Sequence, residues 1–208
     1  MITVISTCHQ RFERYELVLQ AWLSAPEVDE VIVVDNSGSF KTDLPVTVMS
    51  MSKNMGVQAR YPIALFAKND KVIFADDDIL VKPEIVKDFL KHYQPDRAVG
   101  MIGRIFDGTS YYTSTGIRGE NTDEPVKVDW LGAGCTLVGR DKCGVFIGDC
   151  PDMTLDDWWW ERCNPDMKLF VVPTKNYEFM EEGFKIDPIY KRESTKKLRE
   201  EYYKKWQN

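Results

Sequence analysis

The sequence predicts an α/β sandwich on a mostly parallel central sheet, and three observations carry that reading. Short β-branched runs alternate with helical patterns through the first half of the chain, as in sheets covered by helices. Three of those runs end in polar residues, where open α/β sheets place ligands. The 208 residues, 43% hydrophobic and 29% charged, are enough to bury one core of this size.

Ile2, Val4 and Ile5 belong to a first strand over residues 2–7, which runs into Thr7, Cys8 and His9. A helical pattern follows, with Leu17, Val18, Ala21 and Trp22 on one face and a stop near Pro26. Val31 to Val34 form the next strand, closed by the turn formers Asp35, Asn36, Ser37 and Gly38. A short strand is expected at Val46 to Met51 and a helix over 57–68. Lys71 to Ala75 form a buried strand that ends at three aspartates. Pro83 then opens a helix whose apolar face is Ile85, Val86, Phe89, Leu90 and Tyr93. The second half differs. From Ala98 to Arg140 short strands and loops predict a smaller mixed sheet, with a polar loop over 118–127. A further helix is expected near Thr154, and a charged surface helix from Ser194.

Bulk properties exclude some functions. A net charge of −6 and a pI of about 5.1 argue against nonspecific nucleic-acid binding. No apolar run approaches the roughly 18 residues of a membrane span, and the first residues lack the pattern of a signal peptide. The expectation is a soluble cytoplasmic protein. Five cysteines (Cys8, Cys135, Cys143, Cys150, Cys163) include no C-x-x-C pair and are accompanied only by His9 and His92. That disfavours zinc and suits reduced, partly buried thiols, with one or two disulfides left open.

The stretch VIFADDDILVKPE, residues 72–84, poses the main chemical question. Like charges repel, and burying them is costly. Side chains alternate along a strand, so Asp76 and Asp78 are expected on one side and Asp77 on the other. Two convergent carboxylates suit a hard cation such as Mg²⁺ or Mn²⁺, which can bridge two phosphates. A solvated acidic turn capping the next helix is the alternative.

With these residues the chain resembles nucleotide-sugar-dependent glycosyltransferases of the GT-A fold, in which a D-x-D at a strand end holds the metal on the donor diphosphate. The matching stretches are FADDDILVKPE, ITVISTCHQR, EVIVVDNSGS, SKNMGVQARY, DWLGAGCTLVGR and TLDDWWWER. They span about residues 2–192 and are most similar to exostosin-like and viral capsid-glycan transferases. The resemblance implies a GT-A type α/β/α sandwich in one domain, 1–208. Residues 1–97 would form the nucleotide-binding half, 98–192 the acceptor half and 193–208 a helical tail.

It also implies roles. Asp78 would be the main Mn²⁺ or Mg²⁺ ligand with Asp76 assisting, and Asp77 would meet ribose or sugar hydroxyls. Thr7, His9 and Arg11 would line the base and phosphate side, Asp35 and Asn36 the uracil or ribose, and Asn54 and Arg60 the base or diphosphate. Asp157, ahead of its neighbour Asp156, would do the chemistry. Trp130, Gly132 and Trp158 would face the acceptor. Lys185, Lys191 and Arg192 would close over the diphosphate. Blander readings stand beside these: Arg11 as a helix charge, Asp35 and Asn36 as turn formers, and Asn54 as a φ > 0 residue before Gly56. Likewise Thr154, Asp156 and Asp157 suit a helix start, and the tryptophans suit core packing.

The implied activity is metal-dependent transfer of a sugar from a nucleotide diphosphate sugar, by family habit a UDP-sugar, to a glycan, glycoprotein or other hydroxyl acceptor. One alternative is a sugar-nucleotide nucleotidyltransferase, although STCHQRFER lacks the expected glycine-rich loop. An aspartate-dependent phosphohydrolase would want its D-x-D after the first strand. A noncatalytic carbohydrate-binding module would need neither the aspartates nor a nucleotide pocket.

Overall fold

The computed structural model describes residues 1–145, 150, 152, 155–180 and 192–206. In chain order the elements are β1 (Ile2–Cys8), α1 (Tyr15–Leu23), β2 (Val28–Asp35), β3 (Thr47–Ser50), α2 (Arg60–Ala64), β4 (Lys71–Asp76), β5 (Ile79–Val81) and α3 (Ile85–His92). There follow β6 (Arg97–Gly100), β7 (Ile102–Ile105), β8 (Thr115–Arg118), β9 (Val126–Lys127), β10 (Trp130–Leu131) and β11 (Cys135–Gly139). The last are α4 (Asp156–Arg162), β12 (Lys168–Val171), β13 (Tyr177–Phe179) and α5 (Glu193–Trp206).

Eight strands form the central sheet in the order β3-β2-β1-β4-β11-β6-β12-β9. β3, β2, β1 and β4 run parallel, and β11 is antiparallel to both β4 and β6. Near-continuous apolar runs make β1, β2 and β4 strands that can be buried on both faces. Alternate residues then serve opposite layers. Val4, Val33, Ile73 and Leu137 pack with Val18, Leu19 and Trp22 of α1 and with Val86 and Phe89 of α3. Ile5, Val34, Phe74 and Val138 pack on the other side with Tyr61 and Ala64 of α2 and Trp160 of α4. The result is the expected α/β/α sandwich.

The register positions the site. Cys8 lies beside Asp35, and Thr7 beside Asp76, so the carboxyl ends of β1, β2 and β4 finish level. Two small sheets complete the fold, β10-β7-β8 and β13-β5. Both are antiparallel rather than mixed.

Several local expectations shift. α1 buries Tyr15, Val18, Leu19 and Trp22, while Leu17 is 48% exposed. The helix expected over 57–68 is a 3₁₀ turn at Val57–Ala59, the short α2, and then i→i+3 bonds at Leu65, Phe66 and Ala67. α3 starts at Ile85 rather than Pro83, after a turn in which Ile85 N–H bonds to Lys82 O at 3.0 Å and Val86 N–H to Pro83 O at 3.3 Å. α5 is more than a surface helix, since Tyr203 is 1% exposed within an aromatic cluster with Tyr111, Trp130 and Trp158. Cys8, Cys135 and Cys143 are buried free thiols. Among the described residues no helix is long and apolar enough to cross a membrane.

Candidate active site

A cavity of about 900 Å³ opens beyond the carboxyl ends of β1, β2 and β4. It extends across to the small sheet of β7, β8 and β10 and to the starts of α4 and α5. Open parallel sheets leave such a crevice where neighbouring connections diverge.

The three aspartates form its floor, and the structure answers their repulsion with arginine. β4 ends at Asp76, so strand alternation stops there, and Asp77 and Asp78 follow in a turn. The expected division of the triplet is therefore corrected. Arg11 takes Asp77 and Asp78 together: Nη1 donates to Asp78 Oδ2 at 2.7 Å, and Nη2 donates to Asp77 Oδ1. Arg60, itself 3% exposed, donates from Nη1 to Asp76 Oδ1 at 2.9 Å and lies against the rings of Tyr61 and Phe74. Arg11 is thus a partner of the triplet and not a loose helix charge. Two guanidinium groups face three carboxyl groups, so the floor carries an excess negative charge only once Asp77 is ionised. Burial pushes Asp77 up to about 8 despite Arg11, with Asp78 and Asp76 adding to the rise. Gly134 supplies the space: a Cβ there would lie 2.5 Å from Asp76 Oδ2.

The neighbouring strand ends supply polar groups. Thr7 Oγ1 and His9 Nδ1 are buried beside the cavity and have no hydrogen-bond partner among the described residues. Buried polar atoms are normally satisfied, so these suit a ligand. Asn36 fastens the following loop, donating from Nδ2 to Gly56 O at 3.0 Å and accepting Met55 N–H at Oδ1, also at 3.0 Å. Asn54 accepts Gly56 N–H at 2.8 Å, and Gly56 itself takes the positive φ of 71°, not Asn54. Both asparagines line the cavity. Asp35 does not. It is fully buried and accepts Ser37 N–H, Ser37 Oγ–H and Phe40 N–H at 2.9, 2.6 and 3.0 Å. Burial works against its ionised form, but these bonds outweigh it and hold the carboxyl below its usual range. Asp35 therefore shapes the loop behind the site, as its turn-forming reading had it.

Asp157 reaches the far side of the floor from the first turn of α4. It is 5% exposed, lines the cavity and accepts Trp158 N–H at 2.9 Å. Asp157 is thus a residue of the first helical turn that also lines the cavity. The tryptophans that follow fix it. Successive helix residues turn by about 100°, so Trp160 stacks on Tyr61 in the sheet layer while Trp158 stacks on Phe106 in the aromatic cluster. Trp158 is 1% exposed and does not line the cavity, so the acceptor platform expected of it is replaced by packing. Trp130 and Gly132 do line it, and Trp130 Nε1 is buried without a hydrogen-bond partner among the described residues. Arg192 lines it from the residue before α5. The side chain of Asp156, and Thr154, Lys185 and Lys191, lie outside the described residues.

Sequence reading missed Arg104, Tyr111, Arg118 and Arg199, which also line the cavity. Their signal is faint. Single arginines on a short hairpin and a tail helix carry no spacing that marks a site.

The floor offers a divalent cation only part of a donor set. Asp76 and Asp78 keep 35% and 23% of their side chains exposed at the floor, and oxygen-only donors suit Mg²⁺ or Mn²⁺. Among the described residues, however, no group of three or more His, Cys, Asp or Glu is arranged to hold a metal ion. Asp76 and Asp78 therefore offer oxygen donors of the right type but too few to complete a cation's shell by themselves.

No protein-family profile matches the chain, and no curated protein matches it. Solved structures do. TarS of S. aureus, residues 1–349, aligns with a TM-score of 0.57 and 17% identity over 85% of this chain and 59% of that one. TarS in complex with UDP-GlcNAc aligns with a TM-score of 0.59 and 16% identity over 88% and 61%. TarS in complex with UDP gives 0.55 and 16% over 85% and 59%. The chain thus spans about three-fifths of the length of these structures. At such identities the likeness establishes the fold alone.

Proposed function

We propose that the chain is a glycosyltransferase that takes a sugar from a nucleotide diphosphate sugar, most simply a UDP-sugar, and gives it to a hydroxyl acceptor. The observation that carries this reading is the cavity itself. Level strand ends gather Thr7, His9, Asn36, Arg60 and the aspartates on one side, with Asp157 facing them. Fold likeness to TarS, solved with UDP-GlcNAc and with UDP, supports the nature of the donor. GT-A type is the form of the fold that we infer, and residues 1–208 are taken as one such domain.

In this reading the base and ribose lie against Thr7, His9 and the loop that Asn36 holds, with Asn54 at its edge. Arg11, Arg60 and Arg192 meet the diphosphate, whose charge rises as it leaves. Mn²⁺ or Mg²⁺ would be held by Asp78 and Asp76 together with phosphate oxygens, and when bound it neutralises the diphosphate. The acceptor oxygen forms its bond to the anomeric carbon while the bond from that carbon to the diphosphate breaks. The electron pair of the broken bond leaves with the nucleoside diphosphate. Asp157 takes the proton from the acceptor hydroxyl. Trp130 and Gly132 border the acceptor, and a glycan or glycoprotein suits the open side of the cavity.

Two variants test the assignment. Asp78→Ala should lose metal-dependent UDP binding. Asp157→Ala should bind UDP as the parent does and lose turnover of a UDP-sugar, by about 10²-fold or more. Parent-like binding in the first, or parent-like turnover in the second, would remove that residue from its role.

A further inference from the structure

The wall opposite the aspartates has the opposite charge. Cross-strand partners share a face of a sheet, as do residues two apart on one strand. Arg104 of β7 pairs with Trp130 of β10 and with Gly116 of β8, and Ile102 pairs with Arg118. All five therefore share one face of the small sheet, and all five line the cavity. Gly116 leaves that face open, because a Cβ there would meet nothing within 4 Å. Tyr111 organises the arginines behind it. The Arg104 guanidinium lies 4.5 Å from its ring centroid, and Arg199 of α5 donates from Nη1 to its hydroxyl at 3.3 Å.

The charges along the cavity are unequal. At the aspartate floor each arginine is paired with carboxyl groups, Arg11 with Asp77 and Asp78 and Arg60 with Asp76. Among the described residues around the small sheet and α5, Arg104, Arg118 and Arg199 line the space with Asp157 as the lining carboxylate, and Arg192, assigned above to the diphosphate, lies at its border. Glu120 reaches only the edge of Arg118, at 3.8 Å, and Glu200 is turned to Ser110 Oγ and Tyr111 N–H. This concentration stands out in a chain of net charge −6. A neutral sugar needs hydrogen bonds and an aromatic platform, but not three guanidinium groups. Arginine forks are suited to phosphate and carboxylate.

We propose that this wall is the acceptor subsite, and that the acceptor carries a phosphate or carboxylate beside the hydroxyl that receives the sugar. The inference rests on the glycosyl-transfer reading and adds the acceptor's chemical class. The anion takes no part in bond making. Arg104 and Arg118 hold it, Trp130 and Tyr112 border the sugar body, and the hydroxyl is left facing Asp157.

Calorimetric titration of the UDP-loaded protein with glucose 6-phosphate, glucuronate and glucose tests this. One or both anionic sugars should bind at least about ten-fold more tightly than glucose, the worth of one charge-assisted bond. The two anionic arms show which group is read. Arg104→Gln and Arg118→Gln should each weaken that binding about ten-fold and leave UDP affinity unchanged. Arg118 is 54% exposed, so its variant keeps the fold if Arg104→Gln does not. Equal affinity for all three sugars, no binding of either anionic sugar, or unchanged affinity in Arg118→Gln would overturn the proposal. Loss of UDP affinity in Arg118→Gln would also overturn it, by assigning the arginine to the donor. If UDP itself fails to bind, the nucleotide reading fails instead, and the same titrations without UDP still decide whether the wall takes anions.

Discussion

The carboxyl of Asp77 is 5% exposed between two other carboxylates, and burial holds its pKa up at about 8. In the unfolded chain the same group titrates near about 3.9. A carboxyl raised in the folded state favours folding fully only below its unfolded value. That contribution is lost as pH rises from about 4 toward about 8, because the unfolded chain releases its proton first. Asp77→Asn removes this dependence and keeps an oxygen to accept from Arg11. In chelator and without nucleotide, its stability relative to the parent should grow by about 1–3 kcal/mol between about pH 5 and about pH 7.5. Urea unfolding at the two values measures it, and a difference independent of pH would mean that Asp77 is ionised throughout. A cation or an incoming diphosphate acts on this same balance, so the cost stored at Asp77 belongs to the ligand-free site.

At the scale of elements, α4 matters because it carries Asp157. Trp160 is fully buried, stacks on Tyr61 at 5.6 Å, meets Phe74 edge-on at 5.7 Å and donates from Nε1 to Lys142 O at 2.9 Å. Trp160→Ala should cost about 3–5 kcal/mol in urea unfolding, whereas a loss under about 1 kcal/mol would mean that α4 is not anchored there. The strands β1, β2 and β4 were legible because continuous β-branched runs have few other uses, and the polar strand ends pointed to the cavity. Other elements were not. β5 pairs with β13 nearly a hundred residues later, so nothing local marks either as a strand. The pattern over 57–68 looked like one helix, but Gly56 enters it with a positive φ, and Pro62 has no N–H to give. The three aspartates were read with strand alternation although β4 ends at the first of them. Arg104, Arg118 and Arg199 become a group only through the β7–β8 pairing and the docking of α5, and a sequence displays neither.

Across the whole molecule, one sheet joins the two ends of the cavity. The parallel half, β3-β2-β1-β4, delivers the aspartate floor, and β11 continues the sheet toward the strands beside the small sheet. Carboxyl groups gather at one end of this cavity and arginines of the small sheet and α5 at the other. The central claim is that the floor beyond β1, β2 and β4 takes a nucleoside diphosphate with a divalent cation. Calorimetric titration with UDP, once with Mn²⁺ and once with chelator, addresses it most directly. Saturable one-to-one binding that weakens at least about ten-fold in chelator is the predicted result. No binding of UDP, or binding indifferent to the metal and unchanged in Asp78→Ala, would contradict it.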